Sequence, residues 1–247
     1  MKYIQKIKFL YRARRFRHLL DKAEINFVLS HLHKTSCALD IGAHKGAYTY
    51  WMHKAVGSGG RVFAFEPQIE LSNYLKNMIK SMGIENVTVE HSAISSAEGF
   101  STLTIPGDGP SPGATLETGL FDKETHSYEV PLTTIDGYFS DKPNMEINLI
   151  KCDVEGHELE VFKGAEKTLN KFQPHLIFEC EQRHHINDSI QDVFGYLLNL
   201  GYKGYFFQNG QIHQLKELDI NQSQDYKEPH YVNNFLFSVD NVIQLIK

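Results

Sequence analysis

An α/β fold built on a doubly wound parallel sheet is what this chain predicts, on three observations. Strand-length apolar runs alternate with segments of helical period. Glycines close several of the helical segments, as at Gly83 and Gly201. The 247 residues, 41% of them hydrophobic, are enough for one substantial core and fit a single large α/β domain.

The elements follow in order. Residues 1–34 read as one or two helices, with Ile4, Ile7, Leu10 and Tyr11 on one face and Leu19, Leu20, Ala23, Phe27 and Val28 continuing the spacing. "CALDI" (37–41) is a short buried strand, and 48–56 is helical. "RVFAFE" (61–66) is a second strand, 71–82 a helix, and "NVTVEH" (86–91) a third strand. "GDGPSPGATLETG" (107–119) is a Gly/Pro-rich loop, of a length that usually serves as a lid or binding element. The alternation resumes with "EVPLTTID", a short helix, "INLIKCDVEG" and a helix over about 159–170. "PHLIFECE" and a helix over 190–200 come next. Asn209-Gly210 predicts a two-residue hairpin, and "NNFLFSV" is the last strand. The expected organisation is an N-terminal helical arm, 1–34, followed by one domain, 35–247.

Charge and cysteine usage narrow the function. A formal charge of −5 gives no global pull toward nucleic acid. The basic residues are nonetheless concentrated at the start, where Lys2, Lys6, Lys8, Arg12, Arg14, Arg15 and Arg17 precede any acid. Cys37, Cys152 and Cys180 form no disulfide framework and no zinc spacing, which suits a reducing compartment. With no apolar h-region and no run of 18 apolar residues, a cytoplasmic protein is expected.

In such a sheet a ligand sits beyond the carboxyl ends of the strands, at the first strand-to-helix turn. "LDIGAHKG" occupies that place, and Asp40, Gly42 and Gly46 mark it. A dinucleotide turn needs a glycine where this chain has His44, so a pyrophosphate is disfavoured. Glu66 ends the second strand about twenty residues on, where a carboxylate accepts hydrogen bonds from both ribose hydroxyls. A glycine turn with a ribose acid and no phosphate cradle points to S-adenosyl-L-methionine. The bland alternative is that both glycines serve only helix–strand packing.

A second constellation falls on the same rim. Asp153 and Glu155 lie at the carboxyl end of the fourth core strand, with His157 just beyond, and Glu179, Glu181 and His184 end the next. Methyl transfer to a hydroxyl gains from orientation and from a base, worth typically about 10²- to 10⁴-fold. Asp153 is the first candidate for that region, followed by Glu155, His157, Glu181 and His184. Asp153, Glu181 and His184 are also possible metal ligands, but no fixed spacing supports that, and no metal is expected.

These segments resemble the FkbM family of S-adenosylmethionine-dependent methyltransferases. "LDIGAHKGAYT", "VFAFEP", "SAIS", "LTTIDGYF", "LIKCDVEGHELEVFKGAEKTL" and "PHLIFECE" occur in the family's order over roughly residues 36–238. The resemblance implies a class I, Rossmann-like methyltransferase fold, with a seven-stranded sheet whose last strand is antiparallel. It implies O-methylation of a hydroxyl on a sugar, glycan or secondary metabolite. Carried over by position, Asp40, Gly42, His44 and Gly46 form the cofactor turn, with Tyr48 opening the following helix. Glu66 holds the ribose beside Pro67, Ser92 and Ala93 flank the adenine, and Asp153 lies under the methionine part. His44 stands where family members often have Asn.

The expected partner is a small-molecule or glycan acceptor, not nucleic acid; a homodimer is compatible. The basic arm suggests weak peripheral contact with an anionic membrane; the plainer alternative is a solvated helix packed on the core or on a second subunit. Competing readings are an N- or RNA methyltransferase and a non-catalytic cofactor-binding scaffold. The acidic balance and "CDVEG" in place of Asn/Asp-Pro-Pro-Tyr weigh against the first. The joint presence of Asp40, Gly42, Glu66 and Asp153 weighs against the second.

Overall fold

The structure is a computed structural model that describes residues 2–121, 125–186 and 188–242. The chain opens with helix α1 (Lys2–Arg15), a π-helical turn (Phe16–Leu20) and α2 (Lys22–His31). Then come β1 (Cys37–Ile41), α3 (Ala47–Val56), β2 (Arg61–Phe65), α4 (Ile69–Ser81) and β3 (Val87–Glu90). A smaller unit follows, of β4 (Ala93–Ile94), β5 (Gly99–Pro106) and β6 (Thr125–Thr133). The core resumes with α5 (Ile135–Tyr138), β7 (Ile147–Cys152), α6 (Glu158–Lys163), α7 (Glu166–Phe172) and β8 (His175–Glu179). It ends with α8 (Ile190–Asn199), β9 (Lys203–Gln208), β10 (Gln211–Gln214) and β11 (Asn234–Ser238).

The main sheet has the order β10-β9-β11-β8-β7-β1-β2-β3. β3, β2, β1, β7 and β8 are parallel, while β11 runs antiparallel to both β8 and β9. Seven of these strands are the expected ones, with the last antiparallel. β10 adds an eighth at the edge through the Asn209-Gly210 hairpin, where both residues take the positive φ that such a turn requires (51° and 73°).

"EVPLTTID", not one of those seven, becomes β6 and pairs with β5 and β4 in a separate three-stranded sheet. One sequence expectation is corrected. The helix expected over 159–170 is two, because the chain breaks at Gly164 and Ala165. A Cβ at Gly164 would lie 2.0 Å from the Ser95 carbonyl oxygen, so the close approach of the segment after β4 sets the break.

Strand periodicity decides what reaches the rim. Ala38, Leu149 and Ile177 share one face, against which α2 and α3 pack Ile25, Val28, Trp51 and Met52. Leu39, Ile150 and Phe178 point to the other face, covered by Val161, Leu169 and Phe194. Asp40 and Lys151 are register partners on the face that the arm covers. The same period of two carries this face on to Asp153, Glu66 and Glu179 at the strand tips.

The arm is therefore packed rather than free. Phe9 and Ala13 are buried, and the Trp51 Nε1–H donates to the Ala13 carbonyl at 2.7 Å. The Arg17 guanidinium sits 4.5 Å over the Trp51 ring. Ile4, Ile7 and Tyr11, the periodic face read from the sequence, point to solvent instead. Among the described residues no helix is long and apolar enough to cross a membrane.

Candidate active site

A cavity of about 400 Å³ opens at the carboxyl ends of β1, β2, β7 and β8. That is within the range of small-ligand pockets. Its floor begins at the first turn. Gly42 has φ +74°, and a Cβ there would come within 1.8 Å of the Asp153 carbonyl oxygen, so only glycine lets the turn pass beneath β7. His44 also takes a positive φ, +48°, a conformation in which His, like Asn and Asp, is enriched among non-glycine residues. Gly46 does not line the cavity. Its φ of +76° and the 2.4 Å that would separate a Cβ from Leu75 Cδ1 make it a packing glycine.

Glu66 is 2% exposed and already fixed. Its Oε2 accepts from the His44 amide at 2.7 Å and its Oε1 from the Gln68 amide at 2.8 Å. Each oxygen keeps a lone pair for a further donor. Burial raises its pKa to about 7, with the two amide bonds opposing. Asp40, also buried, accepts from the Thr49 hydroxyl, and burial raises its pKa too.

Lys151 stands at the centre of the acids. The buried ammonium lies 3.2 Å from Asp153 Oδ2 and 5.0 Å over the Tyr48 ring. Burial alone would lower its pKa, but Asp153, Glu179, Asp40 and Asp21 outweigh that and raise it. Asp21, on the arm, accepts from the Tyr48 hydroxyl at 2.9 Å and is raised by burial. Burial and then Asp153 push Glu179 up to about 9. Its Oε1 accepts from Asn233 Nδ2 at 2.7 Å. This set of carboxylates around one ammonium favours a ligand that brings positive charge.

The roof comes from the 107–119 loop and the arm. Gln68 clasps the loop at Ser111, donating from Nε2 to its carbonyl and accepting from its amide, both at 2.9 Å. The Thr115 hydroxyl donates to the Glu155 carbonyl at 2.7 Å. Pro112, Ala114, Thr115 and Leu116 then face the cavity. His157 is held from two sides, with Nδ1 2.6 Å from Glu117 Oε1 and Nε2 2.9 Å from Ser95 Oγ.

Of the residues singled out in the sequence, Asp40, Gly42, His44, Tyr48, Glu66, Pro67, Ser92, Ala93, Asp153, Glu155 and His157 line this one cavity. Glu181 and His184 do not. Glu181 is turned to Arg183 Nε at 2.6 Å and to the Tyr231 hydroxyl, and His184 Nδ1 lies 2.9 Å from Glu155 Oε2. Glu155, Glu181 and His184 do cluster, as do the buried Glu158, Cys180 and His185. The ligand set weighed from the sequence had Asp153 in place of Glu155. Lys151, Glu179, Gln68, Arg12 and Asp21 also line the site. Lys151 left a legible trace, a lysine inside the apolar run "INLIKC"; Gln68 and Asp21 left none.

A mostly parallel sheet with an antiparallel seventh strand, a glycine turn after β1 and an acid tipping β2 defines the class I methyltransferases. The chain belongs to the FkbM methyltransferase family: the model of the methyltransferase FkbM domain matches residues 40–203. A methyltransferase FkbM from Methylobacillus flagellatus is 18% identical with a TM-score of 0.52, over 94% of this chain and 54% of that one. The present chain thus spans about half the length of that structure. A proposed methyltransferase from Streptococcus mutans, solved in complex with SAH, is 11% identical with a TM-score of 0.51, covering 88% and 96% of the two chains. A proposed O-methyltransferase from Klebsiella pneumoniae is 10% identical with a TM-score of 0.51, covering 95% and 88%. At these identities the likeness is one of fold. No curated protein matches the chain.

The residues present fit the family's methyl donor. His44 Nε2 and Arg12 Nη1 are buried polar atoms in the wall without a hydrogen-bond partner, and Glu66 keeps its spare lone pairs beside them. No phosphate cradle is built, since His44 occupies the position a pyrophosphate would need as glycine.

Proposed function

We propose that the protein methylates a hydroxyl of a small molecule or glycan, with S-adenosylmethionine as donor. The observation that carries this reading is the gathering of Asp21, Asp40, Asp153 and Glu179 about Lys151, with Glu66 on the same cavity. When bound, the donor supplies a sulfonium whose methyl carbon is electrophilic. Glu66 accepts from the ribose hydroxyls with the lone pairs its amide bonds leave free, and Pro67, Ser92 and Ala93 flank the adenine. Asp21 and Asp40 offset the positive charge, and Glu179 accepts from the donor's ammonium. Asp153 is held by Lys151 through Oδ2, and its side chain has no other hydrogen-bond or ion-pair partner among the described residues. Its Oδ1 is the atom at which this chain takes the hydroxyl proton. The loop over the cavity excludes water and shapes the acceptor's place.

Titration of the donor into the full chain tests the first half. Glu66→Ala is expected to weaken binding by about tenfold or more, the scale of two hydrogen bonds to a charged group. Unchanged affinity refutes the ribose assignment. Product formation with a panel of hydroxylated sugars tests the second: Asp153→Asn should lower kcat about 10²- to 10⁴-fold with donor affinity held within a few fold. Nitrogen acceptors outpacing every hydroxyl would overturn the choice of oxygen.

A further inference from the structure

The arm lies outside the family match, which begins at residue 40, yet Arg12, Arg15, Phe16, Leu20 and Asp21 form part of the cavity wall. Arg12 stands out among them. It is half-buried, its Nη1 is shut off from solvent, and it has no hydrogen-bond or ion-pair partner among the described residues. A guanidinium carries five donors and no acceptor, so an unmatched buried N–H is costly unless something completes it. The helix that bears it is fixed, because the next carbonyl, that of Ala13, receives the Trp51 indole.

The surroundings say what completes it. Lys45 lines the same wall, also without an acidic partner among the described residues, and its pKa is lowered by burial and by Arg12. His44 is pushed down to about 4, first by burial and then by Lys45 and Arg12, so its imidazole is neutral and adds no counter-charge. One part of the wall thus concentrates uncompensated cations, while the floor gathers carboxylates around a single lysine. A ligand matching both carries a cationic centre and, close by, an anionic oxygen group. The amino-acid end of the methyl donor is such a group, an ammonium and a carboxylate on one carbon.

We propose that Arg12, assisted by Lys45, binds the carboxylate of the donor's amino-acid end, so that the N-terminal arm completes the cofactor site. This rests on the reading of the cavity as a donor site. The ammonium of the same carbon faces the acids, and Arg12 gives the carboxylate paired, charge-assisted donors. The arm then has a function in binding beyond its packing on α3.

The test compares two probes in calorimetry with the full chain. S-adenosylhomocysteine has the amino-acid end; 5′-methylthioadenosine has the adenosine and sulfur without it. The wild type should bind the first more tightly. Arg12→Met should weaken S-adenosylhomocysteine about ten- to a hundredfold, the scale of charged hydrogen bonds, and leave 5′-methylthioadenosine within about twofold. Lys45→Met, off the arm, should show the same selectivity at smaller size, and keeps the test alive should Arg12→Met fold poorly. Equal losses on both probes, or none on either, overturn the proposal and leave the donor site standing. A wild type that binds neither probe refutes the donor-site reading itself. Inorganic phosphate should compete with S-adenosylhomocysteine; phosphate that binds alongside it, and is lost in Arg12→Met, assigns Arg12 to an anion of the acceptor and overturns the proposal.

Discussion

The floor and the roof of the cavity are held by different kinds of bond. On the floor, the amides of Gly42 and Ala43 both donate to the Phe65 carbonyl at 3.0 Å, and the Asp153 amide donates to Ile41 at 3.0 Å. Strand tips are thus tied to each other through backbone, and the acids they bear inherit that rigidity. The roof is tied down largely by side chains: Gln68 on Ser111, Thr115 on the Glu155 carbonyl, Glu117 on His157, Trp51 and Tyr48 on the arm. A single substitution removes a side-chain tie, whereas a backbone tie survives any residue the geometry admits. The difference suits a donor whose grip is constant and an acceptor whose choice changes through loops.

The largest break comes from the floor. Gly42→Ala places a Cβ at a φ of +74° and 1.8 Å from a carbonyl oxygen, where the partner is backbone and cannot turn aside. The expected loss of stability is at least about 3 kcal/mol, with donor binding abolished. Thermal unfolding and calorimetry measure both. A variant that melts within about 1 kcal/mol of wild type would mean that the floor yields as readily as the roof.

The legibility of the molecule follows the same division. Asp40, Gly42, Glu66 and Asp153 were readable because period-two alternation and a glycine turn are local signals, and a parallel sheet brings strand ends to one rim. Sheet register, which is not local, made Lys151 the partner of Asp40; in the sequence it is one charge in an apolar run. The second sheet was hidden because β5, "GFSTLTIP", pairs with β6 across the loop, and its alternating Ser and Thr read as irregular chain. Gly164 was visible, but the reason for it, the Ser95 carbonyl 2.0 Å from its absent Cβ, is a tertiary contact. Arg12 shared the same fate: its charge was plain, while burial of one nitrogen against a cavity was not.

Charge on the floor gives a prediction of intermediate size. Glu179 is pushed up from 4.5 to about 9 by burial and by Asp153, with Lys151 opposing, so the folded chain holds a proton that the unfolded chain releases. A carboxyl raised in this way contributes stability that is full below pH 4.5 and is lost as pH rises toward 9. Stability of the ligand-free wild type should therefore fall across that window. Glu179→Gln cannot ionise and should fall less steeply. Glu66 and Glu24, both raised to about 7, with Asp21 and Asp40, keep part of the slope in either protein. Urea denaturation at pH 5, 7 and 9 reads the difference, and equal slopes would remove Glu179 from the acid cluster.

The smallest effect, and the sharpest on the comparison, belongs to Gln68→Ala. Among the described residues its side chain makes two hydrogen bonds to Ser111 and a further favourable interaction with the Glu66 carboxylate, whose main donors, the His44 and Gln68 backbone amides, are untouched by the change. The two bonds to Ser111 are worth about 1 to 3 kcal/mol, and they act on the loop. Hydrogen exchange should therefore quicken at the Thr115 amide, which donates to Thr104 at 3.0 Å in the bridge that seats the loop. The amides of Gly42 and Asp153 should keep their protection, and donor affinity should change by no more than a few fold. Local opening without global unfolding is what a roof held by side chains permits. Equal quickening on the floor would mean that loop and strand tips open as one unit, and that the division drawn between them is not how this cavity moves.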